Sequence, residues 1–189
     1  EISACLVGSE MCIRDSLNRM AKLGMPLVGV DPAIVLSYRD EYQEILGAER
    51  GDFHVLTAHE WLKQQLDNGT LLFAQNTEKT DRTFESHQWY LFPHCTEKTA
   101  IPNSGKEWQH IFAAFDQQLQ VESVGCCGMA GTFGHETQHI EMSKAIYEAS
   151  WEKKLQSKDP NFCLATGYSC RSQVTVSYTH LRAHETGRN

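Results

Sequence analysis

The chain is 189 residues long, enough for one domain with its own hydrophobic core and short for two. Hydrophobic residues make up 41% and charged residues 22%, a globular composition that excludes a disordered or fibrous protein. The formal net charge is −7 and no Lys/Arg block occurs, which argues against nucleic acid or an anionic membrane as the main partner.

No apolar run approaches the roughly 20 residues needed to cross a bilayer. Residues 1–16 (EISACLVGSEMCIRDS) are loosely patterned and lack the basic start and apolar centre of a signal peptide. Residues 175–189 (TVSYTHLRAHETGRN) show no periodicity. Both flanks are read as translated adapter sequence, leaving 17–174 as the domain and as a fragment of a longer protein. Cys5, Cys12, His180 and His184 then drop out of the chemistry.

Within the body, apolar strand-like segments give way to loops and then to helix-like stretches. Pro26 to Val30 reads as a strand, and Ala33 to Ile45 as a helix with Asp31 as its N-cap and Pro32 in its first turn. Asp40, Glu41 and Glu44, beside Arg39, read as a solvated helix face. Phe53 to Leu56 predicts a short strand leading into a helix over Ala58 to Leu66, where Thr57 and Glu60 make a capping box. Asp67 to Ser86 is mostly polar and is read as a surface loop or hairpin. His87 to Phe92 predicts the next strand, followed by Pro93-His94-Cys95 and a helix over about Ser104 to Leu119. Val121 to Val124 runs into Gly125-Cys126-Cys127-Gly128, and a long helix is expected from Glu136 to Leu155. Phe162 to Ala165 is a last short strand, ending at Thr166 to Cys170. Strands alternating with amphipathic helices imply an α/β domain: βαβ crossovers, a parallel sheet and helices on both faces.

Cys95, the Cys126-Cys127 pair and Cys170 each follow a predicted strand at its carboxyl end. In an open parallel sheet those ends share one edge, the edge where ligands bind, so residues distant in sequence can converge there. Thiolates gathered in this way suit an iron–sulfur cluster or zinc. Gly125, Gly128, Gly131 and Gly134 punctuate GCCGMAGTFG, a loop able to adopt positive φ and to bring its amides close to a cofactor. The helix expected at Glu136 would add its dipole. A disulfide between adjacent Cys126 and Cys127 would need a strained ring. Packing as a small buried hydrophobe is the competing reading, and the preferred one for Cys163 inside a strand. An acidic α/β chain with these thiols points to the cytoplasm rather than to a secreted disulfide scaffold.

His94 and His135 read either as ligands or proton carriers, or as donors and helix caps beside the site. His135 and His139 can share a helix face, and HETQH formally fits H-E-x-x-H, but no third zinc ligand is evident. No dinucleotide fingerprint, Walker loop or nucleophile elbow occurs.

Cys95, Cys126-Cys127-Gly128 and Cys170 together resemble the cysteine-rich CCG domain found in heterodisulfide reductases, in the iron–sulfur components of glycolate and glycerol-3-phosphate dehydrogenases, and in large FAD-linked oxidases. The segments VGVDPAIVLSYRDEY, YLFPHCTEK, GCCGMAGTFGHE and ATGYSCRSQV are most similar to the C-terminal portion of bacterial fused FAD and iron–sulfur oxidoreductases of the D-lactate and D-2-hydroxyglutarate dehydrogenase type. The resemblance covers nearly all of 17–174. It implies that an upstream flavin domain oxidises a D-2-hydroxy acid and that this domain holds a cluster and relays electrons. Carried over, Cys95, Cys126, Cys127 and Cys170 match the motif's cysteines and are the expected metal ligands; Gly128, Gly131, Gly134, His94 and His135 are expected around the cofactor from the reading of the loop and its flanks, not from the resemblance. No residue of this chain is assigned a catalytic role.

One position departs from the family pattern: a terminal C-x-x-C is expected, and Gly167 stands where its first cysteine would be. Four thiols still suffice for one [4Fe–4S] cluster, the expected cofactor, or for zinc, but not for a five-cysteine arrangement. The flavin domain with its FAD, and a ferredoxin-like module, are the expected partners upstream in the full-length chain. The electron acceptor is unspecified. A cytoplasmic location is expected, with peripheral attachment at the inner membrane as a variant. Two other classes remain open at this point: a structural zinc or interaction module without redox role, and a metal-free thiol-redox domain.

Overall fold

The computed structural model describes residues 2–71 and 86–177. It opens on a long helix, α1 (Ile2–Lys22), which runs through the stretch expected to be loosely patterned. Its Leu17 and Ala21 pack against a small core of Leu27, Val35, Phe53 and Val55, and Asn18 donates to the Arg50 carbonyl at 2.8 Å.

Strand β1 (Leu27–Gly29) leads through Asp31 into α2 (Pro32–Arg39). The Asp31 carboxylate accepts the amides of Ala33 (2.9 Å) and Ile34 (3.3 Å), and Pro32 occupies the first turn, where no N–H is needed. The apolar run breaks at Asp40, and α3 (Glu41–Leu46) follows, with Asp40, Glu41 and Glu44 exposed as expected of a solvated face. Strand β2 (Val55–Thr57) enters α4 (Ala58–Asp67) through the expected capping box of Thr57 and Glu60. β1 and β2 pair in parallel, Leu27 opposite Val55. Arg39 ties this unit together, donating to the Val55 carbonyl (2.8 Å) and clamping the Glu60 carboxylate with both guanidinium arms.

Strand β3 (Gln88–Phe92) is followed by α5 (Cys95–Ala100), α6 (Ser104–Ala114) and β4 (Gln118–Val121). Beyond the cysteine loop come α7 (Ile140–Tyr147), a π-helical turn (Glu148–Glu152), α8 (Lys153–Gln156), β5 (Cys163–Ala165) and α9 (Tyr168–Ser177). The second sheet has the order β4-β3-β5, all parallel. The α/β class with parallel strands is thus borne out, although the strands divide between two sheets.

Several boundaries differ from the sequence reading. Helix α5 was not expected, because its cap is the imidazole of His94 rather than a hydroxyl or carboxylate. Helix α6 stops at Ala114, since Asp116 turns the chain at φ +55. β4 accordingly begins at Gln118 instead of Val121, and Val124 enters the core beyond the strand. The long helix begins at Ile140 rather than Glu136. Residues 133–139 form two 3₁₀ turns instead, folded back by a Gly134 amide bond to the Met129 carbonyl (2.9 Å) and by stacking of His139 on Phe133. The last strand ends at Ala165, and Tyr168 to Cys170 beyond it already belong to α9. Of the polar stretch read as a loop or hairpin, 72–85 lie outside the described residues.

The larger core joins Phe92, Val124, Met129, Tyr147, Trp151 and Leu155 with two thiols, Cys127 and Cys170. It therefore lies under the carboxyl ends of β4, β3 and β5.

Candidate metal centre

Each of the three strands of the second sheet delivers cysteine to the same edge. Cys95 is the first residue of α5, three positions beyond β3; Cys126 and Cys127 follow β4; Cys170 lies in the first turn of α9, after β5. Parallel pairing is what brings them together, because all carboxyl ends then point one way. The thiols lie near enough to perturb one another's ionisation, Cys126 with Cys95 and Cys170 with Cys127. Cys127 and Cys170 are buried, and Cys95 and Cys126 are half-buried.

Local electrostatics divide the four. The neighbouring Cys170 thiol, joined by backbone amides of Met129 and Ala130, holds Cys127 below the ordinary thiol range despite its burial. Proximity to Cys127 and burial push Cys170 strongly up. Burial also raises Cys126, opposed by the Gly128 amide, which donates to its sulfur at 3.3 Å. Amide donors and a neighbouring thiol that favour ionisation of Cys127 make an environment suited to a thiolate ligand. The donor types suit a soft metal centre. Among the described residues no three His, Cys, Asp or Glu groups are arranged around a common ion position.

The loop that carries Cys126 and Cys127 is held from three sides. The π-helical turn presents consecutive Ser150 and Trp151 to it: Ser150 Oγ accepts the Gly125 amide at 2.5 Å, and Trp151 Nε1 donates to the Gly125 carbonyl at 3.1 Å. Lys98 and Lys154 donate to the carbonyls of Val124 and Ser123. Gly128, at φ +92, lies so close to α7 that an added Cβ would stand 2.1 Å from the Ser143 carbonyl oxygen. Gly134 is similarly crowded by Ser143 and Met129, whereas Gly131 (φ +67) faces open space. Gly128 and Gly134 are thus required by packing of the loop on its own helix.

His94 is nearly buried and serves as a helix cap, its Nδ1 accepting the Thr96 amide at 3.3 Å. Burial lowers its pKa, with Asp31 opposing and Lys98 assisting. Its ring fills the space beside Gly167: a Cβ there would lie 2.3 Å from His94 Cδ2. His135 is exposed at the end of a 3₁₀ turn, and His139 pairs with Glu136 at 3.0 Å, so HETQH forms no shared helical face. Cys163 packs against the larger core from β5, and burial raises its thiol to about 11, as the core reading expects.

The sequence reading missed Glu97. It is fully buried in α5, accepting from Thr166 Oγ1 and from Trp108 Nε1 at 3.1 Å, while Thr166 Oγ1 also accepts the His94 amide at 2.9 Å. Burial pushes its carboxyl up against those bonds. Glu97 and the buried His59 line a cleft of about 450 Å³ between the two sheets, with Pro32, Thr57, Trp108 and Thr166. A charged residue two positions from Cys95 was the available signal, but a fully buried Glu is too rare to infer from sequence.

The fold and the site define a cysteine-rich α/β domain that collects four thiols at the carboxyl edge of one parallel sheet. Comparison with known proteins narrows the class. The chain is 70% identical over 166 residues, 87% of its length, to D-2-hydroxyglutarate dehydrogenase of Haemophilus influenzae, and 55% identical over 160 residues to the enzyme of that name from Escherichia coli K12. It is 25% identical over 166 residues to one of the subunits of the anaerobic glycerol-3-phosphate dehydrogenase of Escherichia coli K12, covering 38% of that protein. The resemblance carried by GCCGMAGTFGHE is borne out: the chain is homologous to a segment of bacterial D-2-hydroxyglutarate dehydrogenases. It spans about 15–16% of their length. No family profile and no solved structure matches it.

Proposed function

We propose that this chain is the electron-relay segment of a bacterial D-2-hydroxyglutarate dehydrogenase, holding an iron–sulfur cluster through Cys95, Cys126, Cys127 and Cys170. The single observation that carries this reading is the placement of four cysteines just beyond the carboxyl ends of three paired parallel strands. Gly128, Gly131, Gly134, His94 and His135 belong to its surroundings, with Gly128 and His94 shaping it through packing. Oxidation of the D-2-hydroxy acid takes place on FAD in another part of the full-length protein, and a ferredoxin-like module there passes electrons on. When bound, the cluster supplies reversible one-electron storage. Cys127 and Cys170 would hold it from within the core and Cys95 and Cys126 from the rim, with the Gly128 amide already donating to the Cys126 sulfur. Among the described residues no helix is long and apolar enough to cross a membrane. The expected setting is cytoplasmic, with peripheral attachment at the inner membrane as a variant.

Anaerobic reconstitution with iron and sulfide tests the reading. Broad visible absorption with about four irons per chain is expected for a [4Fe–4S] centre, and Cys127→Ala should abolish it. Stoichiometric zinc with no iron uptake would instead make the site a structural one.

A further inference from the structure

Buried residues of the helical stretch behind the cysteine loop recur at intervals of four: Ser143, Tyr147, Trp151 and Leu155. Four residues of a regular α-helix turn through about 400°, so such a series drifts about 40° per step and about 120° by its last member. The π-helical turn Glu148–Glu152 winds wider and absorbs that drift, keeping Tyr147, Trp151 and Leu155 in one core. It also lets the neighbours Ser150 and Trp151 both reach Gly125. Such turns are rare and concentrate at functional sites.

Gly125 is held through both of its backbone polar groups. Its amide donates to Ser150 Oγ, and its carbonyl accepts from Trp151 Nε1. That carbonyl belongs to the planar peptide joining Gly125 to Cys126, so the indole bond sets the plane from which Cys126 departs. The same indole packs on Phe92, with ring centres 5.1 Å apart, at the last residue of β3 and three positions before Cys95. Lys98, on α5 with Cys95, donates to the Val124 carbonyl. The segments that carry Cys95 and Cys126-Cys127 are thus braced against each other by protein contacts alone.

We propose that Ser150 and Trp151 are positioning residues for the metal centre, fixing where Cys126 and Cys127 stand relative to Cys95 before any metal binds. The proposal rests on the proposed function for what the thiols hold, but the order of the metal-free loop is measured separately. Groups that orient a metal's ligands from behind typically change metal affinity by about 10–100-fold when lost.

The test uses the full chain, first without metal. A timed pulse of N-ethylmaleimide, followed by peptide fragmentation and mass spectrometry, reads the alkylation rate of each cysteine. Ser150→Ala removes the acceptor of the Gly125 amide and should speed alkylation of the buried Cys127 at least tenfold. Cys163, packed on the same core from β5, should change less than twofold. Trp151→Phe keeps a ring against Phe92 but lacks the indole N–H, and should also speed Cys127 at least tenfold. Ser150→Thr retains the hydroxyl and should stay within twofold of wild type. An unchanged Cys127 rate in Ser150→Ala or Trp151→Phe, an equal rise at Cys163 in Ser150→Ala, or a Ser150→Thr rate matching Ser150→Ala would overturn the proposal. As a second measurement, the Ser150→Ala chain reconstituted with iron and sulfide should lose iron to a chelator at least tenfold faster than wild type. Equal rates of loss would also overturn it. If the wild-type chain took up no iron, the proposed function would fail, while the alkylation pattern would still decide whether the π-turn places the cysteines.

Discussion

Replacing Gly128 with alanine isolates the demand that the cysteine loop makes on its sequence. The residue sits at φ +92, and a Cβ would approach the Ser143 carbonyl oxygen to 2.1 Å. A side chain in the left-handed region costs about 1–3 kcal/mol. Forcing a methyl group against backbone adds about 1–3 kcal/mol, because α7 or the loop must move. The total, about 4 kcal/mol, is a large share of a domain stability of roughly 5–15 kcal/mol. It should lower Tm by roughly 8–16 °C in a chain of this size. Gly131→Ala is the control: its φ of +67 is also positive, but nothing lies within 4 Å of the added Cβ. That change should cost only about 1 kcal/mol. Denaturant and thermal unfolding of both variants, followed by circular dichroism, measure the difference. A Gly128→Ala protein within about 1 kcal/mol of wild type, or no less stable than Gly131→Ala, would refute the close packing of loop on helix.

Three further outcomes follow from the structure. Glu60 is held at about 2, below its ordinary 4.5: burial opposes ionisation, but hydrogen bonds from Arg39 and Thr57 outweigh it. A depressed carboxylate stabilises the fold above its unfolded value and loses that contribution as pH falls, so stability should decline between about pH 5 and 2. Arg39→Met should flatten that decline in pH-dependent thermal melts. Gly167→Ala should destabilise through its 2.3 Å approach to His94 Cδ2, and His94→Ala in the same chain should recover much of the loss. A double-mutant cycle with coupling of at least about 1 kcal/mol supports the contact, and strict additivity counts against it. Under the proposed function, the purified chain should not reduce an electron-accepting dye with D-2-hydroxyglutarate as donor. Measurable turnover without added protein would contradict assignment of the oxidation step to another part of the enzyme.

Elements with self-contained end signals were legible in the sequence. Asp31-Pro32 starts α2 and the Thr57/Glu60 box starts α4, because each cap satisfies orphan amides within a single turn. Local signals failed where the partner is distant or unusual. The imidazole cap of α5, the reversal at Asp116 and the doubled 3₁₀ turn before Ile140 all depend on contacts that no short window displays.

The position of the cysteines was determined by the sequence itself, since a thiol placed just after a strand is already assigned to that strand's carboxyl end. Which strands share a sheet was decided only by tertiary pairing. The order β4-β3-β5 joins the three cysteine-bearing strand ends, while β1 and β2 pair separately and open the cleft. The burial of Glu97 and the seating of His94 against Gly167 are likewise consequences of packing between elements distant along the chain. Strand pairing and side-chain burial are non-local, stabilised by surfaces that exist only once the chain has folded, and so they leave little trace in any local stretch of sequence.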